Sequence, residues 1–97
     1  MVRRVRRRRG NIIYHEILGL PVRIVSSLDP GVEGVEGIVV SETMKTITIR
    51  SGGREVTTFK IGTRYRFKIP DTGEDIEIDG DMLFGRPEDR VRRILKR

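Results

Sequence analysis

The sequence predicts a mainly β fold: one small, strongly bent antiparallel barrel of about six strands, flanked by a short helix at each end. Three observations carry that expectation. Apolar and polar residues alternate over runs of only five to nine residues from Leu20 onward. The joints between these runs are short and rich in Gly, Pro, Asp and Ser, which leaves no room for helical crossovers. Within the most regular run, Val35 to Ile49, Gly37 stands where a strand can bend sharply enough to close a small barrel.

The elements follow in order. Met1 to Gly10 carries six arginines and nothing to bury, so alone it is expected to be disordered. Residues 11–97 then form a single domain. Asn11 suits the N-cap of a short helix, Ile12 to Leu18, with Gly19 as its stop and Ile13 and Ile17 on one face. Leu20 to Leu28 reads as the first strand, with Val22 and Ile24 on one face, ended by the turn Asp29-Pro30-Gly31. The hairpin Val35 to Ile49 puts Val35, Gly37 and Val39 on one face of its first strand, and Ile47 with Ile49 on one face of its second. Ser51-Gly52-Gly53 is a tight turn into Glu55 to Ile61, where Val56, Thr58 and Lys60 alternate with Thr57, Phe59 and Ile61.

Arg64 to Ile69 places Tyr65, Phe67 and Ile69 one way and Arg64, Arg66 and Lys68 the other, a basic strip. After Pro70 to Gly73, Asp75 to Asp79 alternates Ile76 and Ile78 with acids, so its outer face is acidic. Pro87 suits the first turn of a closing helix, with Glu88 and Asp89 near its positive end and Arg92, Arg93, Lys96 and Arg97 near its negative end. Six short strands joined this way describe a barrel of the SH3-like or Sm-like kind.

With 97 residues, 36% of them hydrophobic and 5% aromatic, the chain holds one domain with a modest core. It has no cysteine and one histidine, which excludes disulfides and cysteine-ligated zinc or iron–sulfur sites. No apolar run is long enough to span a membrane, and the N-terminal arginines are not followed by an apolar signal segment, so a cytoplasmic chain is expected. The net charge of +6 is uneven: the N-terminal arm carries +6, the segment Arg86 to Arg97 carries +4, and the rest sums to −4. A mildly acidic body between two basic ends suits a polyanion held by the ends. A run of arginines offers forked donors for phosphate and releases counterions on binding, and a small barrel presenting loops fits shape-based RNA contact.

Other chemistry is only superficially present. Asp75 to Gly80 begins like a calcium loop, but the twelfth position is Arg86 where a bidentate Glu is required, so we read it as a strand with solvated acids. His15 and Glu16 are helix neighbours that point apart, with no nucleophile in view. The acids from Asp71 to Asp81 would need to converge in a pocket to hold metals for a nuclease, and a strand face is not one.

The stretches Ile17 to Ser27, Asp29 to Ile49 and Leu83 to Arg90 resemble the archaeal ribonuclease P protein component 1 family. The order of His15-Glu-Ile-Leu-Gly-Leu20, Glu42-Thr-Met-Lys-Thr46 and Gly85-Arg-Pro-Glu-Asp-Arg90 carries the likeness, and Pro21 and Ser41 depart from it. The resemblance implies an Sm-like barrel that serves the ribonucleoprotein removing the 5′ leader of precursor tRNA. The catalytic centre and its magnesium would lie on the RNA, with no catalytic residue, metal or cofactor on this chain. The implied partners are the ribonuclease P RNA, a zinc-ribbon protein subunit, other ribonuclease P proteins and, indirectly, precursor tRNA; alone the chain is expected to be a monomer. Carried onto this sequence, the RNA contacts are Arg3, Arg4, Arg6, Arg7, Arg8 and Arg9 with Arg86, Arg90, Arg93, Lys96 and Arg97. Arg64, Arg66 and Lys68 are a second choice, and Ile13, Tyr14 and Ile17 are candidates for the zinc-ribbon partner. The competing readings are a basic-barrel ribosomal protein, an Sm-type ring, whose Asp-x-x-Met-Asn loop is missing around Met44, and an autonomous nuclease.

Overall fold

A computed structural model describes residues 17–85, and in it six antiparallel strands make one sheet. They are β1 (Pro21–Ser27), β2 (Glu36–Glu42), β3 (Thr46–Ser51), β4 (Arg54–Phe59), β5 (Thr63–Lys68) and β6 (Asp75–Asp79), in the order β4-β3-β2-β1-β5-β6. All six expected strands are present, within a residue or two of their expected limits. The arm at residues 1–10, most of the first expected helix and all of the last lie outside the described residues. Helical structure within them is two 3-10 turns, Pro30–Val32 and Gly80–Leu83.

The chain's own connections require the sheet to roll. β4 and β5 lie four strand positions apart, about 19 Å in a flat sheet. Yet the four chain steps from Phe59 to Thr63 reach at most about 14 Å. The strands must therefore curl until the end of β4 meets the start of β5, where the Thr63 amide donates to the Lys60 carbonyl at 3.3 Å. Two glycines let backbones approach closely around this curve. A Cβ at Gly37 would lie 2.0 Å from the Arg50 carbonyl oxygen, and one at Gly80 would lie 1.7 Å from that of Lys60. The bend expected at Gly37 is thus a close contact between β2 and β3. Gly80 closes the far side, laying the chain after β6 directly on the end of β4.

The turns follow local chemistry. Gly52 and Gly53 take φ of 56° and 81°, a pair of left-handed residues that matches the twist of the hairpin they join. Asp29 Oδ1 accepts from the Gly31 amide at 2.9 Å and starts the first 3-10 turn.

Inside the roll, Val22 and Ile24 of β1, Val39 of β2, Ile47 and Ile49 of β3, Tyr65 and Phe67 of β5 and Ile78 of β6 pack with Ile17, Leu20 and Leu83. Each buried aliphatic or aromatic side chain contributes about 1.5–3 kcal/mol relative to exposure, which is the main term holding this small domain together. The Tyr65 and Phe67 rings stack with centroids 5.8 Å apart. Tyr65 also bridges the roll, its hydroxyl 2.7 Å from Thr58 Oγ1 and donating to the Phe59 carbonyl at 3.3 Å. Burial pushes the Tyr65 hydroxyl above its ordinary pKa, which keeps it a donor.

The alternation of β4 resolves against hydrophobicity. Thr58 and Lys60 are buried, while Phe59 and Ile61 are 70% and 58% exposed. Thr58 satisfies its hydroxyl on the Ile47 carbonyl and Tyr65, so a polar side chain is accommodated inside.

Candidate nucleic-acid interface

The basic strip predicted on β5 exists, and its neighbour is the acidic strip of β6. Register sets Arg64 opposite Asp79, Arg66 opposite Glu77 and Lys68 opposite Asp75. Arg64 Nη1 donates to Asp79 Oδ1 at 2.7 Å and its Nε to Glu77 Oε1 at 3.1 Å, while Arg66 Nη2 donates to Glu77 Oε2 at 2.9 Å. The hydrogen bonds donated by Arg66 and Arg64 hold the Glu77 carboxyl below its ordinary pKa, and the same bonds, accepted by Glu77, raise both guanidinium values. On the other flank, Arg23 pairs with Glu36 at 3.4 Å. The exposed sheet face therefore sets basic residues of β1 and β5 side by side, Arg23 next to Arg66, between acids of β2 and β6, with no surplus cation across β5 and β6. A phosphate arriving at Arg64 or Arg66 must displace a carboxylate first.

The arginines of the two ends, Arg3 to Arg9 and Arg86 to Arg97, lie outside the described residues, but the points where the chain enters and leaves the barrel do not. At the entry, the Gly19 amide donates to the Val39 carbonyl at 2.8 Å, and the Val39 amide to the Leu20 carbonyl at 3.0 Å. At the exit, the Gly85 amide donates to the Met44 carbonyl at 2.9 Å. Val39 and Met44 are five residues apart along β2 and its turn, a span of at most about 17 Å. The described chain thus enters the barrel against β2 and leaves it against the turn that follows β2.

The exit is fixed from inside by a pair that sequence reasoning did not single out. Lys60, fully buried, donates from Nζ to Glu42 Oε2 at 2.6 Å, to the Thr43 carbonyl at 2.7 Å and to the Gly85 carbonyl at 2.8 Å. Glu42 reaches inward because of a bulge. Val39 pairs with Ile49 but Ser41 pairs with Thr48, so Val40 is the extra residue and Glu42 falls opposite Ile47 on the core face. The one signal in the sequence was Lys60 sharing its face with Val56 and Thr58, and nothing there named the partner. Among the described residues, no three carboxylate or imidazole groups gather as they would around a metal ion.

Of the three residues nominated for a protein partner, Ile17 is fully buried in the barrel core. Its side chain packs the barrel rather than an open surface, because the turn that ends in Leu20 folds it inward; the Leu20 amide donates to its carbonyl at 3.1 Å. Ile13 and Tyr14 fall outside the described residues. Among the described residues, the large apolar side chains most open to solvent are Leu28, Phe59 and Ile61, which line a concavity of about 370 Å³.

Comparison with known proteins gives a consistent picture. The family described as Ribonuclease P/MRP, subunit p29 matches residues 10–93. A Desulfurococcus amylolyticus protein called Ribonuclease P protein component 1 is 45% identical over 85 residues, covering 87% of this chain and 91% of its own length. A Staphylothermus marinus protein of the same name is 38% identical over 93 residues, covering 95% and 100%. A solved structure titled "Structure of Mth11: A homologue of human RNase P protein Rpp29" is 45% identical with a TM-score of 0.57, covering 78% of this chain and 97% of that one.

Proposed function

This chain belongs to the ribonuclease P/MRP subunit p29 family and is a ribonuclease P protein subunit; from that premise we propose that it works as a two-armed phosphate clamp on the ribonuclease P RNA. The observation that carries this reading is where the positive charge sits. The sheet face neutralises itself, while +6 and +4 lie in the two end segments of the sequence, apart from that face. Arg3, Arg4, Arg6, Arg7, Arg8 and Arg9 on one extension and Arg86, Arg90, Arg93, Lys96 and Arg97 on the other bind RNA phosphates. Arg64, Arg66 and Lys68 contribute less, being occupied by or set opposite acids.

Neutralising phosphate repulsion lets the RNA hold its folded form, and with it precursor tRNA, at lower magnesium. The catalytic step and its magnesium belong to the RNA, and this chain preorganises without making or breaking a bond. The zinc-ribbon subunit docks on Ile13 and Tyr14, and the complex works in the cytoplasm.

The test compares binding to ribonuclease P RNA and to an unrelated structured RNA of equal length across a salt series. Full-length protein is set beside a variant with all six arm arginines replaced by Gln, and another with the five tail cations replaced. The cognate RNA wins near physiological salt, and each variant flattens the salt slope by about 0.7–0.9 for every phosphate it no longer neutralises. Equal binding of both RNAs refutes the specific assembly, and unchanged slopes refute the clamp. Cleavage of precursor tRNA by the purified chain with magnesium alone would refute the division of labour.

A further inference from the structure

Gly85 is held at both of its backbone polar groups. Its amide donates to the Met44 carbonyl at 2.9 Å, and its carbonyl accepts from Lys60 Nζ at 2.8 Å. That carbonyl belongs to the planar peptide linking Gly85 to Arg86, so fixing the oxygen fixes the plane from which the next residue starts. The ammonium that fixes it is itself immobilised. Glu42 Oε2 and the Thr43 carbonyl, at 2.6 and 2.7 Å, place it between the β2–β3 turn and the end of the described chain. Behind it, the close approach of Gly80 to the Lys60 carbonyl locks the Lys60 backbone.

Stability alone does not call for such a pair. A buried ion pair replaced by apolar residues of similar volume often leaves a domain equally stable. What an apolar pair cannot do is aim a carbonyl.

We propose that Lys60, anchored by Glu42, is the positioning residue of the RNA-contacting tail: it sets the direction in which Arg86 and the basic residues after it leave the barrel, and so which phosphates they meet. This rests on the reading above that the tail binds ribonuclease P RNA. Lys60 touches no RNA in this account and acts entirely through Gly85.

The experiment uses full-length protein in four forms: wild type, the clamp variant Lys60→Met with Glu42→Met, the tail variant with Arg86, Arg90, Arg93, Lys96 and Arg97 all replaced by Gln, and the two combined. The paired apolar replacement keeps the interior filled, and Lys60→Met with Glu42→Gln, which leaves no buried unpaired charge, serves as a second variant should the first not fold. Folding is checked by the near-ultraviolet signal of buried Tyr65, and the clamp itself by hydrogen exchange at the Gly85 amide. Affinity for ribonuclease P RNA is then measured across salt.

The clamp variant is expected to stay folded, to lose protection at Gly85, to bind about tenfold more weakly at physiological salt and to lose at least about one unit of salt slope. In the combined variant the clamp substitutions add less than about twofold to the loss caused by the tail. A folded clamp variant with exposed Gly85 and wild-type binding overturns the proposal. So does a clamp effect of the same size with the tail already neutralised, because the effect would then not pass through the tail. If the tail variant itself binds like wild type, the underlying reading fails first, and the inference falls with it.

Discussion

Replacing Gly80 by Ala should be the most damaging single-methyl change in the barrel. The added Cβ would lie 1.7 Å from the Lys60 carbonyl oxygen, 2.5 Å from its carbon and 2.8 Å from the Thr63 oxygen. A tolerable carbon–oxygen contact is about 3.3 Å, so the two backbone segments must part by about 1.5 Å. Neither side is a flexible side-chain end that could swing away. Separation would also strain the Thr63 amide bond to Lys60 and the Lys60 contacts to Glu42 and Gly85. Overpacking costs about 1–3 kcal/mol, and the backbone character of this clash puts it at the upper end. For a domain of this size, about 3 kcal/mol corresponds to a Tm lower by about 12–24 °C. The assay is a thermal melt followed by circular dichroism, with Gly31→Ala as the reference. There the new Cβ meets only the Asp29 carboxylate oxygen, at 3.2 Å, and the side chain can give. If Gly80→Ala melts within about 4 °C of Gly31→Ala, the closure of the barrel at this contact has been misjudged.

Three further outcomes follow from the same geometry. Tyr65→Phe removes the hydroxyl that joins Thr58 and the Phe59 carbonyl, and should cost about 1 kcal/mol, seen as a lower urea midpoint at unchanged slope. Glu77 has a folded pKa held below its ordinary value by Arg66 and Arg64. Its contribution to stability is therefore present above the unfolded value near 4.5 and disappears as pH falls through the folded value. Urea midpoints of wild type and Glu77→Gln should accordingly differ near neutrality and converge in acid; parallel curves would contradict the pairing. Glu77→Gln with Asp79→Asn frees Arg64 and Arg66, and should strengthen binding to an unrelated RNA while steepening its salt slope by about 1–2 units; a fall in affinity would show that these acids do not shield the strip.

The strands were legible because their alternation is local. Tyr65, Phe67 and Ile69 against Arg64, Arg66 and Lys68 is a pattern six residues long, and the structure follows it. Strand neighbours are not local. The basic face of β5 and the acidic face of β6 were each visible in the sequence, but only the register showed that they face one another and cancel. The inward turn of Lys60 was hidden for a different reason. Phe59 and Ile61 are the more apolar residues of that run, and hydrophobicity alone favours burying them. The structure instead buries the ammonium, because Glu42 and two carbonyls are waiting for it. Ile17 shows the reverse: an apolar residue on a predicted helix face could serve the core or a partner, and only its packing decided for the core. The arms that carry most of the charge lie beyond the described residues, and their charge is read from composition.

The extra residue at Val40 breaks the parity of β2. Counted by strict alternation from Val39, which faces the core, position 42 would face water; the one added residue is what turns Glu42 inward to Lys60. Removing Val40 would leave Ser41 opposite Thr48 and Glu42 opposite Ile47, each facing as it does now, but in a straighter and less twisted ladder. For the buried pair, then, the distance from the core valine to the acid can be three residues with a bulge or two without one. The distance that cannot vary is from the acid forward through the turn, because that count sets Glu42 opposite Ile47. Chains sharing this pair should therefore drift in length before the acid and hold their length after it.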